Sequence, residues 1–188
     1  MDSNPNYMNQ EDFNKVLAAI PSLKIRKWKD KDIEFLMKIL YHMALRPSEG
    51  IKLDKENFDL KNRLVYLGKT KTSTSDRAVI PRVFVAELEQ YLISKNTGPL
   101  FPGLSYNTFW VWLKKLGIQL NIEAWLPDNR IRMKENTVGH IFRKSIGKDL
   151  MDAGIEIDII SKHLRHSKPS MTIDHYLKAD IKKVHDTL

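Results

Sequence analysis

Several short stretches place residues suited to phosphate chemistry at the edges of apolar helical patterns. In ALRPSE (44–49), Arg46 directly follows a long apolar run, and Glu49 stands three residues on. An arginine held by a carboxylate near a core is suited to bidentate phosphate binding; a structural ion pair at a helix end is the other reading. In GHIFRK (139–144), His140 and Arg143 share a helix face at i and i+3. A histidine beside a permanent cation resists protonation and could act as a base or hydrogen-bond partner. Two exposed polar residues would look the same in sequence. His166 follows a further helical pattern in LRHS, and Tyr176 comes ten residues later in TIDHYLK. A tyrosine is a poor nucleophile at its ordinary pKa of about 10. A cluster of Arg, Lys and His would make its phenolate more accessible and stabilise a pentavalent phosphorane. Taken alone, Tyr176 also reads as an amphipathic surface aromatic.

Other chemistries are poorly supplied. There is no cysteine, which removes disulfides, thiolate catalysis and Cys-based zinc sites. No GxxxxGK[ST] is present, because Gly68-Lys69-Thr70 lacks the upstream glycine. No HExxH or paired His/carboxylate motif suggests a catalytic metal, and the basic segments lack the clustered carboxylates of two-metal nucleases. No cofactor or metal is expected. Lys plus Arg number 31 against 23 Asp plus Glu, a net charge of +8, which points to a polyanionic partner. The excess is uneven: residues 61–82 carry Lys61, Arg63, Lys69, Lys71, Arg77 and Arg82 against Asp76 alone. Such a Ser/Thr-rich basic segment can lie along phosphates, with Lys69, Lys71 and Arg77 as DNA contacts, or be a solvated loop.

The elements that must position these residues follow from periodicity. Helices are expected over 10–20, 31–45, 82–94, from a Ser105 cap to Gly117, from a Thr137 cap to Gly154, over 156–164, and from 171 onward. LVYL and RAVIP read as strands around the exposed loop GKTKTSTSD. The fold class is therefore mixed α+β, mainly α, with a small antiparallel sheet in the N-terminal third. The 188 residues suit a single domain. No run is apolar enough to span a membrane and no signal-peptide pattern opens the chain.

In combination and order, these stretches resemble the catalytic domain of the tyrosine recombinases, the phage integrase family, from about residue 9 to 180. ALRPSE is similar to the family's first arginine box. IKLDKENFDLKNRLVYLGKTKTSTSDRAVIPR (51–82) resembles its three-stranded sheet with a lysine-bearing turn. GPLFPGLSYNTF resembles the linking segment, HIFRKSIGKDLMDAG the HxxR box, ISKHLRHS the LGHS box, and TIDHYLK the nucleophile box. The resemblance implies a site-specific recombinase that cleaves and rejoins double-stranded DNA through a 3′-phosphotyrosyl link, without metal or ATP. Arg46 and Arg143 would clamp the scissile phosphate. Lys71, or Lys69 in its place, would protonate the leaving 5′ oxygen. His140 would assist proton transfer, His166 would bind a non-bridging oxygen, and Tyr176 would attack phosphorus. It also implies a homo-oligomer on DNA, a tetrameric synapse, in the cytoplasm or nucleoid of a prokaryotic host, with residues 181–188 as an assembly tail.

The sequence departs from the family pattern in four places. His166 and Tyr176 are ten apart where nine is usual, which puts His175 at the usual tyrosine position. Lys69 competes with Lys71. Arg165 stands where the family prefers glycine. The N-terminal DNA-binding arm is missing, so residues 1–188 are expected to be a lone catalytic domain. Two further readings share some of these features: a type IB topoisomerase, and a non-catalytic helix-turn-helix module built on residues 149–170 with Gly154 in the turn.

Overall fold

A computed structural model describes residues 7–25, 27–68, 77–122 and 140–166. Helix α1 (Gln10–Ala19) starts at Asn9, whose side chain accepts the Asp12 N–H, and runs into a 3-10 turn at Ile20–Leu23 with Pro21 second in it. Helix α2 (Asp30–His42) is the central element. Ile33, Phe35, Leu36, Met37, Ile39, Leu40 and Tyr41 are all buried, too many for one stripe, so the helix is covered on most sides. Its main neighbour is α6 (Ile141–Asp152). Phe142 on α6 meets Phe13 of α1 edge-on at 6.0 Å between ring centroids, and Phe109 stacks on it at 6.4 Å. Phe13 stacks in turn on Tyr41 at 4.3 Å. This aromatic cluster locks α1, α2 and α6 to α5 (Tyr106–Leu120).

The short helix α3 (Pro47–Gly50) has Pro47 at its first position, where the missing N–H costs nothing. Gly50 lets α3 lie close against α2: a Cβ there would stand 2.5 Å from Leu40 Cδ2. After a 3-10 turn (Lys55–Asn57) come β1 (Phe58–Asp59), β2 (Leu64–Tyr66) and β3 (Arg77–Val79), antiparallel in that order. Val65 and Ala78 face each other in the register and are buried, while their neighbours on β3 face solvent, the period-2 alternation of a half-covered sheet. The Asp59 carboxylate accepts the backbone N–H of Asn62, which shapes the β1–β2 turn. Residue-level reading missed β1, since a two-residue strand carries no detectable alternation.

Helix α4 (Arg82–Ile93) buries Phe84, Leu88, Tyr91 and Leu92, with Tyr91 stacked on Phe35 at 3.9 Å. Ser105 caps α5 as expected, accepting the Thr108 N–H at 3.1 Å. The far end differs from expectation: α5 passes through the buried Gly117 and stops at Leu120. Asn121 takes the left-handed turn (φ 52°), and the Gly117 carbonyl accepts the Ile122 N–H. Asparagine tolerates that conformation, so the helix ends without a glycine. Helix α6 begins at Ile141, and the expected Thr137 cap lies outside the described residues, as does the expected helix from 171 onward. Gly154 (φ 75°) then turns the chain into α7 (Ile157–His163). Among the described residues, no helix is long and apolar enough to cross a membrane. The fold is mainly α with one small three-stranded antiparallel sheet.

Candidate active site

Helix ends converge on one place. The first is the carboxyl end of α2. Ala44 adopts a left-handed conformation (φ 51°), with its N–H on the Tyr41 carbonyl and the Leu45 N–H on that of Leu40. This pair of bonds is a Schellman turn. It reverses the chain so that Arg46 becomes the N-cap of α3. Glu49, almost wholly buried, accepts the Arg46 backbone N–H on Oε2 at 2.7 Å and Arg46 Nη1 on Oε1 at 3.0 Å. One carboxylate thus holds both the backbone and the head group of the same arginine. The Arg46 side chain is held by Glu49 and remains 22% exposed.

The second arrival is the start of α6. Arg143 is buried at 5% exposure, and its Nη1 donates to the Ala44 carbonyl at 2.7 Å. A helix's carboxyl end carries partial negative charge, which favours a cation there. The turn that aims Arg46 is therefore also the anchor for Arg143. His140 is the residue before the first turn of α6 and is half-buried. Burial, then the positive charges of Arg143, Arg46 and Lys144, bring its pKa down to about 4, with Glu49 opposing. His140 is neutral at neutral pH and can accept a proton. The reading of His140 and Arg143 as merely exposed polar residues does not survive, because Arg143 is buried.

The third arrival is the end of α7. Leu164 closes the helix, Arg165 is left-handed (φ 50°), and the His166 N–H reaches the Ser161 carbonyl at 3.1 Å. Arg165 points inward. Its Nη2 donates to Glu49 Oε2 at 2.6 Å and its Nη1 to the Met43 carbonyl at 3.5 Å. Glu49 therefore bridges two arginines from opposite sides. His166, one residue on, is half-buried at the same turn. His163 is held below its ordinary pKa mainly by burial and then by Arg165 and Arg143, while its bond to the His42 backbone works the other way. The connection from α6 through Gly154 to α7 has helix–turn–helix form, but its second helix ends in this site.

The structure thus brings together Arg46, His140 and Arg143, with His166 on the adjoining turn. Lys69, Lys71 and Tyr176 lie outside the described residues. Arg77 is exposed at the start of β3, with its guanidinium 5.5 Å from the Tyr66 ring centroid. Sequence reasoning found Glu49 as a partner of Arg46. It registered Arg165 only as an irregularity. The available signal was an arginine in a helix-terminating slot that favours glycine, next to a residue already under suspicion.

Comparison with known proteins places the chain in a family. The family description "Phage integrase family" matches residues 6–183. The tyrosine recombinase XerA of Thermococcus onnurineus is 27% identical over 196 residues, covering 95% of this chain and 62% of that protein. XerD of Staphylococcus aureus strain N315 is 24% identical over 199 residues, again across 62% of its length. The chain therefore spans less than two thirds of the curated relatives it matches. Among solved structures, the catalytic domain of bacteriophage HP1 integrase superposes with a TM-score of 0.62 at 18% identity, over 94% of this chain and 93% of that one. The Tn1549 transposon integrase, solved with circular intermediate DNA, gives 0.65 at 18% identity, over 97% of this chain and 68% of that one. With a family description that runs nearly end to end, and a fold shared with integrase catalytic domains, the chain belongs to the phage integrase family.

Proposed function

We propose that this chain is the catalytic unit of a site-specific DNA recombinase acting on double-stranded DNA. The observation that carries the reading is the convergence of Arg46, Arg143 and a neutral His140, with His166 on the adjoining turn. Two fixed guanidiniums suit the non-bridging oxygens of a phosphodiester, and they stabilise charge that grows in the transition state. Tyr176 Oη forms a bond to phosphorus as its proton passes toward His140. The P–O5′ bond breaks, and the leaving oxygen takes a proton from Lys71, or from Lys69. The product is a 3′-phosphotyrosyl link and a free 5′-hydroxyl. A 5′-hydroxyl from another strand reverses the step, with bond energy conserved and no ATP consumed. His166 donates to a non-bridging oxygen. Lys69, Lys71 and Arg77 supply contacts along the phosphates, in keeping with the net charge of +8. Strand exchange requires paired sites, so the active form on DNA is a homo-oligomer, a tetramer at synapsis, in the cytoplasm or nucleoid of a prokaryotic host.

The test is covalent trapping on nicked suicide duplexes drawn from a randomised library, with metal chelated and the attacked strand labelled. Wild type should yield a band shifted by the mass of the protein on a denaturing gel, and Tyr176→Phe should yield none. An adduct retained by Tyr176→Phe overturns the tyrosine assignment. No adduct from the whole library overturns the cleavage reading.

A further inference from the structure

Arg165 occupies a position that glycine would fill more easily. Its backbone closes α7 in a Schellman turn: its own N–H is on the Lys162 carbonyl at 3.0 Å and the His166 N–H on that of Ser161. The same turn closes α6 with Gly154, where left-handed backbone carries no side-chain penalty. At φ 50° an arginine bears that penalty. It also buries a charged head at 3% exposure, with Nε lacking any hydrogen-bond partner among the described residues. Two unfavourable features in one residue need a compensating interaction, and the Glu49 bond at 2.6 Å supplies it.

That bond has an electrostatic consequence. Glu49 paired with Arg46 alone would cancel the charge that a phosphate should meet. With Arg165 on the other side, the three residues together keep one net positive charge. Arg46 is the partner with open surface, Arg165 and Glu49 being almost fully covered. The bridge also joins two turns mechanically, because Glu49 caps the one carrying Arg46 and Arg165 directly precedes His166.

We propose that Arg165 is a positioning residue: through Glu49 it orients Arg46, leaves the Arg46 charge available to a bound phosphodiester, and fixes the His166 turn relative to it. The activity arm of the test rests on the recombinase reading; the spectroscopic arm does not. Arg165→Gly removes the guanidinium while favouring the backbone, and Arg165→Lys restores a charge of lesser reach. In 15N-arginine-labelled protein without DNA, the Arg46 Nε–Hε signal, assigned by its loss in Arg46→Lys, should be sharp and dispersed in wild type. It should collapse toward the random-coil position in Arg165→Gly and partly recover in Arg165→Lys. On nicked duplex at saturation, the Arg165→Gly cleavage rate should fall at least tenfold while the duplex Kd stays within threefold, with partial rescue by lysine. An unchanged Arg46 signal in Arg165→Gly overturns the proposal. So does a cleavage loss that merely follows loss of folded protein and is not rescued by lysine. If wild type itself forms no adduct, the recombinase reading falls, and the Arg46 signal still decides the role of Arg165.

Discussion

Replacing Glu49 by alanine should be among the most damaging single changes in this chain, and its size can be worked from the contacts. The Arg165 guanidinium is almost wholly buried and loses its carboxylate. An uncompensated buried charge of this kind costs about 3–5 kcal/mol. The pairing with Arg46 is partly exposed and adds about 0–1 kcal/mol. The lost cap on the Arg46 N–H adds about 1 kcal/mol. These contributions share one side chain and do not simply add, so a total of about 4 kcal/mol is expected. For a domain of this size that lowers Tm by about 8–16 °C. The assay is thermal and urea denaturation of wild type, Glu49→Ala and Glu49→Gln. Glutamine keeps an acceptor of the same shape without the charge and should fall between the other two. The difference should persist from 0.1 to 1 M salt, because buried pairs are screened far less than exposed ones. A Glu49→Ala stability within about 1 kcal/mol of wild type would refute the reasoning, since Arg165 would then have found water or another partner.

Two further outcomes follow from the same structure. Gly50→Ala places a methyl against the buried Leu40 side chain and should destabilise the fold by about 1–3 kcal/mol by urea denaturation, whereas Gly154→Ala meets no atom within 4 Å and should cost only the left-handed strain, about 1 kcal/mol. His42 and His140 each ionise near 4 in the folded chain against an ordinary 6.5, chiefly through burial. The unfolded state therefore binds protons first as pH falls, so stability should be full above about pH 6.5 and decline toward pH 4, by about 2 kcal/mol per histidine between pH 7 and 5. His42→Phe should preserve the stack on Phe84 and flatten part of that decline in urea midpoints; superimposable pH curves would count against the buried neutral histidine.

Much of the fold was legible because its helices are strongly amphipathic and carry local stop signals. Phe13 and Val16 on α1, the apolar run of α2, and Ser105 ahead of α5 all read directly from spacing and capping chemistry. The misses have physical causes. The strand β1, expected through the family resemblance but invisible to residue patterning, is only two residues long and owes its existence to pairing with β2, a long-range fact with no local trace. The end of α5 was misplaced because a glycine can sit inside a buried helix as well as end one, and here the left-handed terminating slot went to Asn121. In the site, the Arg46–Glu49 link was legible because it spans three residues. The Arg165–Glu49 link spans 116, and no periodicity reports a contact at that distance.

The cations of this site are held at helix ends, and that arrangement explains how so much like charge is tolerated. Arg143 and Arg165 take carbonyls at the carboxyl end of α2, where the backbone is partially negative. Glu49 offsets one further charge, and Arg46 is the less covered of its two arginine partners. The site's groups are aimed by backbone turns at Ala44 and Arg165, the preorganisation that the proposed recombinase chemistry would need. It also explains why left-handed residues sit at both of these turns. A gentler reversal would not bring the chain back sharply enough to set Arg46 and Arg165 beside the same carboxylate.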